Sequence, residues 1–587
     1  MSVVQIPFEK ILIANRGEIA LRIMRACHEL GVATVAVYSE GELNAPHVRY
    51  ATEAFRIPSE RPLPYLDIPA LIAVARQSGA HAIHPGYGFL AENAEFAAAC
   101  AAAGVTFIGP SPEAIAAMGD KVAARRVAHT AGAPLVPGSS GPIDAVGART
   151  FGEQHGYPIA LKAAAGGGGR GFRVARSAGE VEDAFQGASG EAARYFADDR
   201  VYVERYLDHP RHIEIQIFAD LYGNYVALGE RDCSIQRRHQ KLIEESPSPA
   251  IDPATRERMQ ETAVRLARAV DYVGAGTVEF LYQDGEFFFL EMNTRIQVEH
   301  PVTEMISGVD LVTEQIRVAA GAVLSFNEVI LNGHAIECRI NAEDATRGFA
   351  PTPGTIAEYR APSGFGIRVE SAAESGYQIM PQYDSLVAKL IAWGRNRDEA
   401  LARLRRALVD FKVVGIPTTI PFHLQVATNA AFAAGDYDTR FLDLQRELLS
   451  LPHSPAAPGE TVSDDSAAIT ERFVVEVSGK RFDVVLHGTE RATTRSAPRL
   501  SLGRRGPSGS NGRGEVRSPI QGTVLRVAVK AGASVRAGDL ICVVEAMKME
   551  NEITAPQDGI VQQIGVVAGE TVQTGAMIAM IGQPEDA

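Results

Sequence analysis

The last seventy or so residues of this chain repeat themselves, and few folds accept that repeat. Shifted by 37 positions, Pro519 falls on Pro556, Gly522 on Gly559, Val524 on Val561, Gly532 on Gly569, Val535 on Val572, Gly538 on Gly575 and Ile541 on Ile578. A chain that spaces the same glycines and apolar residues twice builds one supersecondary unit twice, and neither copy can bury its apolar face alone. Two β-rich, turn-punctuated halves predict a small barrel with approximate two-fold symmetry. Between the halves, 542–555 carries Glu545-Ala546-Met547-Lys548-Met549-Glu550, which puts Lys548 at a hairpin tip, projected into solvent. A plain β-sandwich with a surface lysine would leave both the repeat and the centred lysine unexplained.

At 587 residues the chain needs about three to five domains. The first 110 residues alternate strands (11–14, 34–38, 82–84, 105–108) with helices (18–30, 66–78, 93–103), the pattern of a doubly wound parallel sheet with ligand loops at the strand C-termini. Those loops hold Asn15-Arg16-Gly17-Glu18 and His84-Pro85-Gly86-Tyr87-Gly88-Phe89. The first lacks the G-x-G-x-x-G of a dinucleotide site, which argues against NAD. From 121 to 320 the pattern is mixed α+β, and 334–450 reads as a further α+β unit. Pro452-His453-Ser454-Pro455-Ala456-Ala457-Pro458-Gly459 opens a linker, a hairpin follows (473–477 and 482–486, around Gly479), and 498–514 is a Gly/Ser/Pro/Arg tether.

A net charge of -14 argues against a broad nucleic-acid footprint. No apolar run approaches the roughly 20 residues that span a bilayer. Five dispersed cysteines without CxxC spacing suggest reduced, buried thiols rather than disulfides or zinc. With neither signal nor transit peptide at the N-terminus, a cytoplasmic location is expected.

Three stretches carry chemistry. A strand at 157–162 ends in Lys162, and Ala163-Ala164-Ala165-Gly166-Gly167-Gly168-Gly169-Arg170-Gly171 then leads into a second strand at 172–175. Glycines let backbone N–H groups approach phosphate oxygens, with a lysine supplying charge. A strand follows instead of a helix, so the loop is not a Walker A motif. It is an ATP-grasp loop or, about as readily, a mobile surface hairpin. Next, 276–282 and 287–293 read as a hairpin on which Glu291 and Asn293 share a face. Glu279 joins that face if Gln283-Asp284-Gly285 is a three-residue loop, whereas a two-residue Asp-Gly turn would put it on the other side and remove the metal reading. Carboxylates facing one another beside Phe280, Phe288, Phe289 and Leu290 would call for Mg2+ or Mn2+. The third stretch is two polar runs, 231–241 and 295–304; the first is not a nucleic-acid patch, since it lacks interleaved aromatics.

Glu545-Ala546-Met547-Lys548-Met549 resembles the biotinylation motif of biotin carrier domains; lipoyl domains share the barrel but usually carry Asp-Lys-Ala at the tip. Met118-Gly119-Asp120-Lys121, the two polar runs, and 334–344 with Arg339 resemble biotin carboxylase, a likeness extending over 8–442. The resemblance implies an α/β and α+β multidomain protein. Its parts would be a doubly wound N-terminal domain (1–120), an ATP-grasp domain with its lid (121–320), an α+β C-terminal domain (321–450), a linker with the hairpin (451–514), and a biotinyl/lipoyl-type β-barrel (515–583). It implies ATP bound by Lys121, Lys162, Gly166, Gly167, Gly168, Gly169, Glu204, His212, Gln236 and His239. Mg2+ or Mn2+, two ions during turnover, would sit on Glu279, Glu291 and Asn293. Bicarbonate would lie against Lys241, Arg295, Gln297 and the Val298 amide. Glu299 would be the base, Lys241 would offset phosphoryl charge, Arg339 would face the ureido group, and biotin would be covalent on Lys548. Ala165, Phe172 and the segment 39–46 depart from the family pattern, and none of them removes a charged group.

The implied activity is ATP-dependent carboxylation of biotin by bicarbonate. The implied partners are a separate carboxyltransferase (β) subunit in a hetero-oligomer and a biotin protein ligase. Acetyl- or propionyl-CoA is the expected acceptor; methylcrotonyl- or longer acyl-CoA is the alternative, or a silent carrier scaffold. The hairpin docks the partner or is spacer, with equal weight to each.

Overall fold

The computed structural model describes residues 6–139, 141–163, 172–196, 199–237, 240–449, 468–477, 480–489, 514–518, 522–546, 549–572 and 575–582. The chain forms two compact units, Met1–His453 and Ser454–Ala587. Gly166, Gly167, Gly168, Gly169, His239 and Lys548 lie outside the described residues, as do the Lys121 side chain and most of the expected linker and tether.

The first unit opens with a parallel sheet of β1 (Lys10–Ile13), β2 (Ala33–Tyr38), β3 (Glu53–Arg56), β4 (Ala82–His84) and β5 (Thr106–Phe107), ordered β3-β2-β1-β4-β5. The strand order reverses between β1 and β4, so the crevice of this doubly wound sheet opens at their C-terminal ends. Asn15 closes it by donating from Nδ2 to the carbonyls of Pro85 and Tyr87, both at 2.7 Å. β3 and the short helix Pro46–Tyr50 escaped the sequence reading, because β3 is an edge strand whose residues are only half-buried or exposed.

The segment expected as the lid forms a three-stranded antiparallel sheet of β6 (Ile159–Ala163), β7 (Phe172–Ala175) and β8 (Val201–Arg205), with β6 central. Ile159, Leu161, Val201 and Val203 pack it onto the helices Ala145–His155 and Val181–Phe196.

An eight-stranded antiparallel sheet is the spine of the unit. It joins β9 (Arg211–Ala219), β10 (Tyr225–Arg237), β11 (Gln240–Ser246), β12 (Gly274–Gln283), β13 (Glu286–Asn293) and β14 (His334–Asn341) to Ile367–Ser371 and Leu386–Gly394. The order is β13-β12-β9-β10-β11-β14, then Leu386–Gly394, then Ile367–Ser371. The sheet therefore continues across residue 320 without a break. On β9 the period of two sorts the faces. Ile213, Ile215 and Ile217 enter an apolar core with Met259, Leu266 and Phe280 beneath the helix Pro253–Ala269, while His212, Glu214 and Gln216 lie buried on the opposite face.

The β12–β13 hairpin corrects the expected loop. Gln283 pairs with Glu286, so Asp284 and Gly285 make a two-residue turn, with positive φ at both (53° and 83°). In a regular ladder that turn would bring Leu290 opposite Glu279. A bulge intervenes between the Phe280–Phe289 and Glu279–Glu291 pairs, Leu290 becomes the extra residue, and Glu279 faces Glu291 directly. The turn length expected from the sequence is wrong, yet the carboxylates still share a face.

In the second unit, strands Ala468–Val477 and Lys480–Thr489 pair antiparallel along their whole length, a longer hairpin than the sequence suggested. The barrel obeys the repeat. One sheet runs Glu515–Arg517, Met577–Gly582, Gly559–Ile564, Ser534–Val535; the other runs Met549–Thr554, Leu540–Ala546, Gly522–Val527, Thr571–Val572. A 37-residue shift exchanges the two sheets strand for strand in the same order. Val524, Val561, Ile541 and Ile578 are fully buried between them. The strands flanking Lys548 close at the pair Ala546–Met549.

Gly532 and Gly569 hold matching φ values of +88° and +89°, and an added Cβ would meet nothing at either. Gly532→Ala and Gly569→Ala should each destabilise the barrel by about 1 kcal/mol through the backbone alone. The two losses should be equal and additive in hydrogen exchange of barrel amides.

Candidate active site

The buried polar face of the eight-stranded sheet gathers charge around one ammonium. Lys241, on β11, places Nζ 2.5 Å from Glu214 Oε2, 2.8 Å from Glu279 Oε1 and 2.7 Å from Glu299 Oε1. These carboxylates come from β9, from β12 and from the turn after β13, so the lysine ties three segments together. Beneath it, Arg231 is fully buried and uses every guanidinium nitrogen. Nε meets Glu214 Oε1 at 2.5 Å, Nη1 donates to Gln216 and Thr303, and Nη2 donates to Thr277 and Gln297.

Glu299, only 1% exposed, has a second cation: Arg339 Nη2 lies 3.0 Å from its Oε2. Arg339 also meets Glu244 Oε1 through Nε at 2.6 Å and Nη2 at 2.5 Å. The same turn is fixed from behind by Lys389, fully buried, which donates to the Val298 carbonyl at 2.9 Å and pairs with Glu18 at 3.0 Å. Arg295 is aimed by Glu92, which accepts from its Nε at 2.8 Å and from the Thr294 amide at 3.0 Å, and Arg295 Nη2 donates to Asn293 at 2.9 Å. Gln297 Nε2 and Asn293 Nδ2 each donate to Glu279 Oε1 at 2.9 Å.

Burial alone would raise the Glu299 and Glu279 carboxyls, but opposing charge outweighs it. Lys241, Arg339 and Arg231 hold Glu299 well below the usual carboxylate range, and Lys241 and His212 do the same for Glu279. Burial likewise opposes the charge on Lys241, and Glu214, Glu279 and Glu299 raise it well above the ordinary amine value. His212 Nε2, 2.8 Å from Glu279 Oε2, is raised despite its burial.

The residues fit a divalent cation. The bulge sets Glu279 opposite Glu291, with Asn293 on the same face, an all-oxygen donor set of the kind that holds Mg2+ or Mn2+, with Lys241 and His212 already on the Glu279 oxygens. His212, Glu214 and Glu279 also bring ligand atoms within 4.8 Å of one another.

Of the residues anticipated from sequence, Lys241, Glu279, Asn293, Arg295, Gln297, Val298, Glu299, Arg339 and His212 fall into this single network, and Gln236 pairs with Lys241 across the β10–β11 ladder. Lys162 and Glu204 form a separate pair on the lid at 2.5 Å, with Arg125 on the other Glu204 oxygen at 2.8 Å. Lys121 begins a helix whose first turn is capped by Asp120. Glu214, Glu244, Lys389 and Glu92 escaped the sequence reading, and Arg231, though part of the polar run 231–241, was given no role. The alternation His212-Ile213-Glu214-Ile215-Gln216-Ile217 could have exposed Glu214, since polar residues at every second position of an isoleucine strand mark a second, polar burial face. All five cysteines are free and buried, as expected, and no helix among the described residues is long and apolar enough to cross a membrane.

Lys241→Met would leave three buried carboxylates short of a cation and should cost about 3–5 kcal/mol in urea denaturation at neutral pH. The wild-type Glu279 and Glu299 pKa values are depressed, so their stabilisation is present above the unfolded carboxyl pKa of about 4.3 and is lost as pH falls below it. The deficit of the variant should accordingly shrink on acidification.

Four family models match in succession: "Biotin carboxylase, N-terminal domain" over residues 7–115, "Carbamoyl-phosphate synthase L chain, ATP binding domain" over 120–327, "Biotin carboxylase C-terminal domain" over 337–444, and "Biotin-requiring enzyme" over 514–581. The Biotin-dependent acyl-coenzyme A carboxylase alpha3 subunit of Mycobacterium leprae is 46% identical over 561 residues, covering 92% of this chain and 93% of the relative. Biotin carboxylase 1 of Bacillus subtilis is 54% identical over 441 residues, 74% of this chain and 98% of its own. Among solved structures, the biotin carboxylase domain dimer of Hydrogenobacter thermophilus 2-oxoglutarate carboxylase, in complex with MgADP, ADP and bicarbonate, superposes with a TM-score of 0.71 at 48% identity. It covers 76% of this chain and 99% of that one. The chain belongs to the biotin-dependent carboxylases, as an α-type subunit that joins a biotin carboxylase to its biotin carrier domain.

Proposed function

We propose that this chain uses ATP and bicarbonate to carboxylate biotin borne on Lys548, and hands the carboxyl group to a separate carboxyltransferase subunit of an acyl-CoA carboxylase. The observation that carries the reading is the double clamp on Glu299, with Lys241 Nζ at 2.7 Å on one oxygen and Arg339 Nη2 at 3.0 Å on the other. A carboxylate held between two cations stays ionised but is a weak base, and it gains the basicity to take a proton only as one of those cations shifts to the charge that develops on the reactants.

Arg295, aimed by Glu92, holds bicarbonate with Gln297 and the Val298 amide. Glu299 receives the bicarbonate proton as the anion attacks the γ-phosphate. Lys241 turns from Glu299, now neutral, towards the phosphoryl oxygens. Lys162, steadied by Glu204, binds the nucleotide phosphates from the lid, with the glycine loop and Lys121, Gln236 and His239 completing the ATP site. A Mg2+ or Mn2+ ion on Glu279, Glu291 and Asn293, two ions during turnover, would offset phosphate charge. Carboxyphosphate, the first product, hydrolyses readily, so the buried setting of Glu299 protects it from water. Carboxyphosphate breaks down to CO2 and phosphate, the phosphate takes the proton from biotin N1, Arg339 stabilises the resulting ureido oxyanion, and N1 adds to CO2.

Acyl-CoA as acceptor is supported by the Mycobacterium leprae relative, whose likeness covers 92% of this chain and so extends beyond the carboxylase. Acetyl- and propionyl-CoA are the expected substrates, a biotin protein ligase charges Lys548, and the working assembly is a cytoplasmic hetero-oligomer. The test is to purify the complex on avidin, identify the co-purifying chain, and follow labelled bicarbonate into acetyl-, propionyl- and methylcrotonyl-CoA, with pyruvate and 2-oxoglutarate as controls. Label in an acyl-CoA that disappears in Lys548→Ala supports the reading; label in a 2-oxoacid overturns the acyl-CoA assignment. Glu299→Gln should lower bicarbonate-dependent ATP cleavage at least about 100-fold. Full activity in that variant would remove Glu299 from the base role.

A further inference from the structure

Behind Arg339 lies a pair of carboxyls that the chemistry above does not use. Glu244 on β11 and Glu337 on β14 are cross-strand partners, and both are fully buried. Glu244 Oε1 takes both bonds from Arg339, whereas Glu244 Oε2 and both oxygens of Glu337 have no hydrogen-bond partner. The nearby cations are already committed: Lys241 to Glu214, Glu279 and Glu299, and Lys389 to the Val298 carbonyl and Glu18. Among the described residues, Arg339 is thus the one cation in direct contact with both Glu244 and Glu299. No ion pair reaches Glu337 among the described residues. Two buried carboxyls side by side do not both ionise, and the member without a cation keeps the proton.

We propose that Glu244 is a positioning residue for Arg339: as a carboxylate it anchors the guanidinium through two nitrogens beside Glu299, and on taking up a proton it lets go. The proposal rests on the carboxylase reading of this site. The groups acting on Glu244 are Lys241 on its own strand, Cys233 from β10, Glu337, Cys338 and Arg339 from β14, and Glu299 from the turn after β13, while Lys389 acts on Glu337. Burial, opposed by Arg339 and reinforced by Glu299, raises the Glu244 carboxyl to about 7, and burial raises Glu337 well above the carboxylate range. The sign follows: the anchor is present above about pH 7 and fails as pH falls through it.

The experiment measures bicarbonate-dependent ATP cleavage by the full chain, with free biotin as acceptor, from about pH 6 to 9. Wild type should lose kcat on an acid limb with a midpoint near 7. Glu244→Gln, permanently neutral, should lower kcat about 10- to 100-fold at the alkaline end, the equivalent of one charge-assisted hydrogen bond, and erase the limb. Its KM for ATP should stay within about twofold of wild type, because Glu244 touches none of the proposed nucleotide ligands. Glu244→Asp keeps the charge and should keep the limb. Glu337→Gln should keep it too; a limb lost there would make Glu337 the titrating group and overturn the proposal. Equal losses in the Gln and Asp variants with the limb intact, or a Gln variant like wild type, would also overturn it. Wild type without bicarbonate-dependent cleavage would instead overturn the carboxylase reading.

Discussion

The polar half of the large sheet depends on one buried ammonium. Lys241 meets carboxylates from three segments, and without it Glu214, Glu279 and Glu299 would be a cluster of like charges in a low-dielectric interior. With it, each carboxylate is held at a fixed angle, and the remaining donors (Arg231, Gln297, Asn293, His212) are arranged around them. Such a network adds little net stability compared with an apolar core. It provides orientation, because every oxygen is already bonded and cannot turn to another partner at small cost.

That network is carried by strands, and the strands explain its placement. β9, β10, β11, β12 and β14 all offer residues to one face, and the turn after β13 closes over it. A single bulge at Leu290 then decides that Glu291 faces Glu279. Behind the site, Lys389 and Glu18 lock the turn after β13 to the N-terminal domain and to the last long strand of the sheet. The carrier barrel contributes the opposite kind of structure: an apolar, symmetrical core between two sheets, in one of which the strands on either side of Lys548 pair with each other.

Much of this was legible in the residues. The 37-residue repeat determined the barrel and its symmetry, because matched glycines and apolar residues allow no other consistent burial. The alternation of the first 110 residues determined a parallel doubly wound sheet, and the polar motifs named most members of the central network. Periodicity alone marked Glu291 and Asn293 as sharing a face, and left Glu279 to the length of the turn.

The tertiary structure decided what no local pattern could. The Asp284-Gly285 turn by itself would have set Glu279 away from Glu291; the bulge that restores the pairing is a long-range accommodation to the sheet, and nothing at Leu290 announces it. Glu214, Glu244 and Lys389 read as ordinary strand residues until antiparallel pairing stacks them on a buried face, where an unpaired charge is costly and each must find its partner. Sequence determined which elements form and which residue types are present. Only the packing of strands far apart in the chain decided which charges meet, because Coulomb energy depends on separation in space and on burial, and neither is a local property.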